Sequence, residues 1–281
     1  AAGDMLLGAL LAAGADASVL DAVEASLPVR FETEQVMRNA IRATKVRVVH
    51  EDADVGADDG SDDHDHSHED GDGHHSHGDG HSHDHSHDHS HDHDDAEGHG
   101  HTRTYAEVVE LVESMDLADA VEADALEAFR ILGEAEASVH GMELEDTGFH
   151  EVGTDDAIAD VVGCMLLLDD LRDRGVERVV TTPLHAGSGE VTFSHGTYPV
   201  PSPAVVEIAE RADWSLRGGP IETELLTPTG AAILAAVAAG VDSLPELRVE
   251  HSGYGAGAKE FAQHPNVVRA MIGETEGKLT R

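Results

Sequence analysis

Phe149-His150-Glu151-Val152-Gly153-Thr154-Asp155-Asp156-Ala157-Ile158-Ala159-Asp160 runs directly into Val161-Val162-Gly163-Cys164-Met165-Leu166-Leu167-Leu168. This stretch decides the fold. Residues 149–152 suit a short strand, a Gly-Thr turn follows, and Asp155 or Asp156 starts a helix that reaches about Arg174. Residues 178–184 are strand-like again. A strand, a long apolar helix and a second strand in succession point to a mixed α/β domain with helices packed on a mixed sheet.

The rest of the chain extends that pattern in both directions. On the N-terminal side, Leu6, Leu7, Leu10 and Leu11 form one helical stripe, and Asp16 or Ser18 caps a second helix ending near Pro28. Residues 29–34 and 44–50 suit strands, because Lys45-Val46-Arg47-Val48 alternates with period two. Val108, Leu111, Val112 and Met115 make a further helical stripe, as do Leu126, Phe129, Leu132 and Val139. On the C-terminal side, Pro201 and Pro203 precede a helix over about 204–211, and Thr227 or Thr229 caps another through Ala239. Residues 247–251 and 267–272 are the final strands.

Residues 51–101 interrupt this order. They contain Asp, His, Gly and Ser, 18 acids and no Lys or Arg. With almost nothing apolar to bury, such a segment is expected to be a disordered insertion in a loop. The domain expected is therefore 1–281, interrupted by 51–101.

Charge sets further limits. The chain carries 57 Asp+Glu against 17 Lys+Arg, a formal net charge of −40, and outside the tract 39 acids still face all 17 bases. Only Lys45, Lys259 and Lys278 are lysines, and aromatics are 3%. Self-repulsion of this size calls for salt screening, so the composition reads as that of a halophilic protein. Nucleic acid and anionic membranes are excluded as partners by the long-range field. Cys164, the single cysteine, lies in an apolar run and is read as a buried core thiol. The apolar runs are shorter than the ~20 residues a membrane span requires, and no signal peptide is legible, so the expected location is cytoplasmic.

Four places carry chemistry. The first is the histidine tract. His64, His66, His68, His74, His75, His77, His81, His83, His85, His87, His89, His91, His93, His99 and His101 are 15 of the chain's 22 histidines. Neutral imidazole suits Ni, Zn and Cu, and alternating His and Asp on a flexible chain favour capacity over one rigid site. The second is His150 and Glu151 with Asp156 and Asp160, the last two sharing a helix face at i, i+4. They can hold a metal or move a proton, or be no more than a helix cap and a solvated acid. The third is the Gly187-Ser188-Gly189 turn, followed by His195 in a Gly- and Pro-rich loop; a glycine turn after a strand can offer backbone N–H groups to phosphate. The fourth is Thr227-Pro228-Thr229-Gly230, a helix cap or a second anion site. No Walker A motif occurs, which argues against a P-loop GTPase type of nickel chaperone.

Taken in order, these pieces resemble the LarC family of nickel-insertion proteins. The matching residues are Gly3-Asp4-Met5-Leu6-Leu7-Gly8-Ala9-Leu10, Phe149-His150-Glu151-Val152-Gly153 with Asp156 and Asp160, and Gly187-Ser188-Gly189. They continue with His195-Gly196, Pro199-Val200-Pro201, Thr227-Pro228-Thr229-Gly230-Ala231-Ala232 and Gly253-Tyr254-Gly255-Ala256-Gly257. The resemblance implies insertion of Ni(2+) into pyridinium-3,5-bisthiocarboxylic acid mononucleotide, a lyase-class metal chelation driven by CTP hydrolysis, for a lactate-racemase type of enzyme. His150, Glu151, Asp156 and Asp160 are then candidates for metal and base, and Gly187, Ser188, Gly189, His195, Thr229 and Gly230 for the precursor. CTP and a divalent metal belong to a C-terminal domain in the family; this chain is expected to be an N-terminal part, truncated at its start and ending before that domain. The implied partners are the nucleotide-like precursor, the C-terminal domain in cis or as a separate chain, and the enzyme that accepts the cofactor; homo-oligomerisation is left open. Two other classes compete: a nickel or zinc buffering protein without catalysis, and a metal-dependent hydrolase using the His-Glu-Asp cluster.

Overall fold

The computed structural model describes residues 1–50, 103–149, 153–193 and 196–275. The first helix, α1 (Gly3–Ala13), is followed by a 3-10 turn at Ala17–Leu20, by α2 (Asp21–Glu24), and by a hairpin of β1 (Val29–Arg38) and β2 (Ile41–His50). Next come β3 (Arg103–Thr104), α3 (Tyr105–Ser114), α4 (Asp119–His140), β4 (Gly148–Phe149) and α5 (Asp155–Asp173). Then follow β5 (Val179–Thr181), β6 (Leu184–Gly187), β7 (Glu190–Phe193), β8 (Gly196–Pro199), α6 (Pro203–Arg211) and β9 (Leu216–Gly218). The last elements are α7 (Pro228–Val237), β10 (Ala238–Gly240), β11 (Arg248–Ala256) and β12 (Val267–Glu274).

The architecture is mixed α/β, as the interleaving predicts. The main sheet has the order β1-β2-β11-β12; β1 and β2 pair antiparallel, as do β11 and β12, and β11 joins β2 in parallel through Gly255 and Thr44. Four two-stranded ribbons, β10-β5, β3-β4, β6-β9 and β7-β8, complete the strands among the described residues.

One seam fixes how α1 lies on this sheet. A Cβ on Gly255 would overlap the Met5 carbonyl oxygen, one on Gly253 would overlap that of Ala9, and one on Gly8 would overlap that of Thr44. Helix and strand therefore meet backbone to backbone, a distance only glycine allows. Ala9 is closed to solvent at this contact, and Leu7 is closed beside Gly163 of α5 (Asp155–Asp173). Behind α1 lies α5, whose central run, residues 161–168, is apolar; Ile158, Val161, Val162, Met165 and Leu167 are closed to solvent. The core continues through Phe129 and Leu132 of α4 to Val205 and Ile208 of α6. Each fully buried side chain of this size contributes about 1.5–3 kcal/mol. Phe149 is held between Tyr105, edge-on at 6.0 Å, and Phe129 at 6.4 Å, which anchors the chain just before the acidic stretch.

The structure refines several boundaries. The hairpin strands run to Arg38 and start at Ile41, because Asn39 and Ala40 both take positive φ and close a two-residue turn. The strand expected over 178–184 divides into β5 and β6. Residues 238–240 leave the helix for a parallel pairing with β5. The cap of α5 is Thr154, whose hydroxyl accepts from the Ala157 N–H, so neither Asp155 nor Asp156 is spent on capping. Cys164 is buried, as expected. Among the described residues no helix is long and apolar enough to cross a membrane. The disorder expected of 51–101 concerns residues outside those described.

Candidate active site

Several of the sequence motifs meet at the first turn of α1. The Thr227 N–H donates to the Ala1 carbonyl at 3.1 Å, and a Cβ on Gly230 would overlap that same carbonyl. From the other side, a Cβ on Gly3 would collide with the Asp160 carboxylate. Glycine at positions 3 and 230 thus lets α5 and the start of α7 close on α1. The Thr227 hydroxyl accepts from the Gly230 N–H and sets the entry of α7, so part of this motif acts as a helix cap.

Acids gather at this junction. Asp160 points from the second turn of α5 toward Gly3, and its Oδ1 is closed to water without a hydrogen-bond partner. Burial raises its pKa well above the usual carboxylate value, and the charges of Asp4 and Asp156 raise it further; a bond from the Asp4 N–H pulls the other way. Asp4 is also raised, by burial, against the opposing pull of the Met5 N–H, donated at 2.8 Å, and of the Lys45 charge. Cys164 lies beneath them with Sγ 3.7 Å from the Gly3 carbonyl, and burial followed by the nearby acids keeps it a thiol.

At the rim, His50 Nε2 lies 2.8 Å from Asp156 Oδ1, both side chains partly open to solvent. Next to it, Arg103 Nη1 lies 2.7 Å from Asp155 Oδ1 and donates to the Gly153 carbonyl at 3.1 Å. His50 directly precedes the histidine-rich stretch and Arg103 follows it by two residues. Residues on both sides of that stretch in sequence thus pair with adjacent acids of the first turn of α5. Chemically, this junction offers an imidazole and a carboxylate at an open rim and a buried carboxylate behind them. These are donors for a borderline cation and a seat for a proton.

The Gly187-Ser188-Gly189 turn sits farther along. Gly187 (φ 101°) and Gly189 (φ 82°) both need the left-handed region. A Cβ on Gly187 would overlap the Thr223 carbonyl, the same carbonyl that accepts from the Ser188 N–H at 3.4 Å. The Ser188 hydroxyl donates to Ile221 at 2.9 Å. The turn is thus bound to residues 221–225, whose Leu225 N–H in turn donates to Ala186.

Of the residues singled out in the sequence, Asp156 and Asp160 are brought to the α1 junction. Thr229 and Gly230 stand at its α7 side, and Gly187, Ser188 and Gly189 are linked to it through 221–225. His150, Glu151, His195 and the histidines from His64 to His101 lie outside the described residues. Among the described residues, no three His, Cys, Asp or Glu side chains converge on one metal position. Sequence reasoning gave no role to His50, which it read only as the end of a strand, or to Asp4, quoted only as part of a motif. Asp4 was legible as an acid in a helix start; its approach to Asp160 across 156 positions was not.

A family model described as "Nickel insertion protein" matches residues 1–281. Among similar proteins, one of Methanosarcina mazei is 37% identical over 281 residues, covering 99% of this chain and 58% of its own length. One of Methanococcoides burtonii is 35% identical over 282 residues, covering 100% of this chain and 58% of its own. One of Archaeoglobus fulgidus is 45% identical over 174 residues, 62% of this chain and 43% of its own. Each carries the name "Putative nickel insertion protein". The chain thus spans less than two thirds of the relatives it matches. No solved structure matches it.

Proposed function

The chain belongs to the nickel insertion protein family, and from that premise we propose that it houses the insertion site for nickel in a pyridinium-3,5-bisthiocarboxylic acid mononucleotide. Nickel is the substrate here, bound in the product by two sulfurs and a ring carbon. The ring C–H bond breaks, its electron pair forms the carbon–nickel bond, and the proton passes to a base. Asp156, with His150 and Glu151, presents nickel; Asp160 takes the proton. The observation that carries this reading is the Asp160 carboxylate, closed off against Gly3 with Oδ1 unpartnered. A desolvated carboxylate of raised pKa is a better proton acceptor near neutrality than an exposed one.

The histidine tract is the nickel reservoir in this reading; the residues that flank it in sequence, His50 and Arg103, pair with Asp156 and Asp155. We assign the lyase reaction, its CTP requirement and its divalent metal to the whole protein. The enzyme accepting the cofactor, and a cytoplasmic location, belong to the same proposal.

The test is the double variant Asp156→Asn, Asp160→Asn. It keeps size and the Thr154 cap while removing charge. Bulk nickel binding should persist, since the tract supplies most ligands. Nickel insertion, assayed with CTP and the remainder of the protein supplied, should fall about 100-fold or more. Wild-type insertion by a folded double variant would reject this site and move the assignment to His195 and to His185, the β6 histidine whose Nδ1 lies 3.2 Å from the Gly218 carbonyl.

A further inference from the structure

Lysine is scarce in this chain, and the two described lysines are used differently from the arginines. Arg38, Arg103, Arg130, Arg172 and Arg211 each sit against a carboxylate. Among the described residues, neither Lys45 nor Lys259 has a carboxylate within ion-pair distance. Lys45 still acts on Asp4 through space. Lys259 has a different partner: its Nζ donates to the Thr223 hydroxyl at 3.2 Å. The acid next to it in sequence, Glu260, is turned to Arg38 at 2.9 Å. An exposed ammonium in so acidic a protein would be expected to collect a carboxylate; this one is held on a neutral hydroxyl.

That hydroxyl belongs to the residue on which the glycine turn rests. The Thr223 carbonyl receives the Ser188 N–H and blocks any side chain at Gly187. Lys259 is therefore one residue away from the Gly187-Ser188-Gly189 turn. Its backbone is pinned as well: Asn266 donates through Nδ2 to the Lys259 carbonyl at 3.0 Å, and the Asn266 backbone carbonyl accepts from the Gly257 N–H at 3.1 Å. A Cβ on Gly257 would press on that Asn266 side-chain amide. The ammonium thus extends from a fixed loop, and swinging off Thr223 onto a ligand costs it one neutral hydrogen bond.

We infer that Lys259 is the charged anchor of a phosphate-monoester site whose opposite wall is the Gly187-Ser188-Gly189 turn, with Thr223 joining the two. A phosphate dianion offers the ammonium a charge-assisted bond in place of the neutral one to Thr223. In a chain whose net field repels anions, such a local cation is what lets an anionic small molecule bind at all. Glu222, which borders Gly189, works against the anion. The inference rests on the proposed function only in that its substrate is a mononucleotide; the site is read by phosphate binding alone.

The experiment titrates ribose 5-phosphate, with ribose as the uncharged control, into the nickel-free chain by calorimetry at one fixed KCl concentration. Saturable binding of ribose 5-phosphate and none of ribose are expected. Lys259→Gln should weaken binding about 10-fold or more, the range set by losing a hydrogen bond to a charged group. Lys259→Arg should retain most of it, and Glu222→Gln should tighten it. Lys259 is exposed, so its variants should melt with the wild type. No saturable binding to the wild type, or wild-type affinity in Lys259→Gln, overturns the site. Because nickel is absent, wild-type insertion by the Asp156/Asp160 variant, which would reject the insertion site, would leave this result standing, and the reverse holds equally.

Discussion

Asp155→Ala should be among the most damaging single changes at the candidate site, although Asp155 has no part in the proposed chemistry. Its Oδ1 lies 2.7 Å from Arg103 Nη1, and the two side chains are 11% and 22% exposed. Removing one partner of a buried pair leaves the other charge unpaired, which costs about 3–5 kcal/mol. Arg103 keeps some water and the Gly153 carbonyl, so the lower end, about 3 kcal/mol, applies. In a domain of this size that lowers Tm by roughly 6–12 °C. Arg103→Met should cost less, because the remaining acid faces the first-turn amides of α5, where a negative charge is favoured. The double variant Arg103→Met, Asp155→Ala should recover most of the loss, since no charge is left buried. Thermal melts followed by circular dichroism at fixed KCl would measure all three. The loss should persist in molar KCl, because buried pairs are screened far less than exposed ones. A melting temperature for Asp155→Ala within a degree or two of wild type, or a double variant worse than either single one, would refute this account of how the start of α5 is held.

Three further outcomes follow from the same chain. Outside the tract 39 acids face 17 bases, so Tm should rise steeply from dilute to molar salt; a flat profile would rule out the halophilic reading. Deleting residues 57–101 should leave cooperative unfolding intact and remove most bound nickel, and nickel capacity of the full chain should fade below about pH 6.5 as imidazoles protonate; full capacity at pH 5 would point to the carboxylates instead. Asp160→Asn should stabilise the fold at pH 7.5 but not near pH 4. The folded-state pKa is raised, so a cost of ionisation grows as pH climbs above 3.8 and is complete above the folded value, while Asn has none; equal melts for variant and wild type at both pH values would count against a strained Asp160.

How much of this was legible depends on the range of the signal. The helices of residues 105–114 and 119–140 announce themselves through 3.6-residue stripes, and α6 through Pro203 at its first turn. The hairpin was cut short because Gln35, Arg38 and Arg42 break the apolar alternation, although the turn at Asn39 and Ala40 continues the ladder unbroken from Val29 to His50. The capping box of Thr104 and Glu107 was readable in principle, yet nothing local separates it from any other Thr-x-x-Glu.

The site was legible as residue types but not as a place. Asp156 and Asp160 could be put on one helix face from their spacing alone. What stood across from Asp160 could not, because Asp4 reaches it only once α1 has settled on β11, and that depends on three backbone contacts made by Gly8, Gly253 and Gly255. A glycine in sequence says that something comes close; it does not say what. Here the close partners are carbonyls of α1 and β2, so the glycines of one motif position the acid of another. The quoted motifs Gly3–Leu10 and Gly253–Gly257 are thus parts of one packing arrangement. A substitution at Gly255, which touches no ligand, should misplace Asp4 as surely as a substitution at Asp4 removes it.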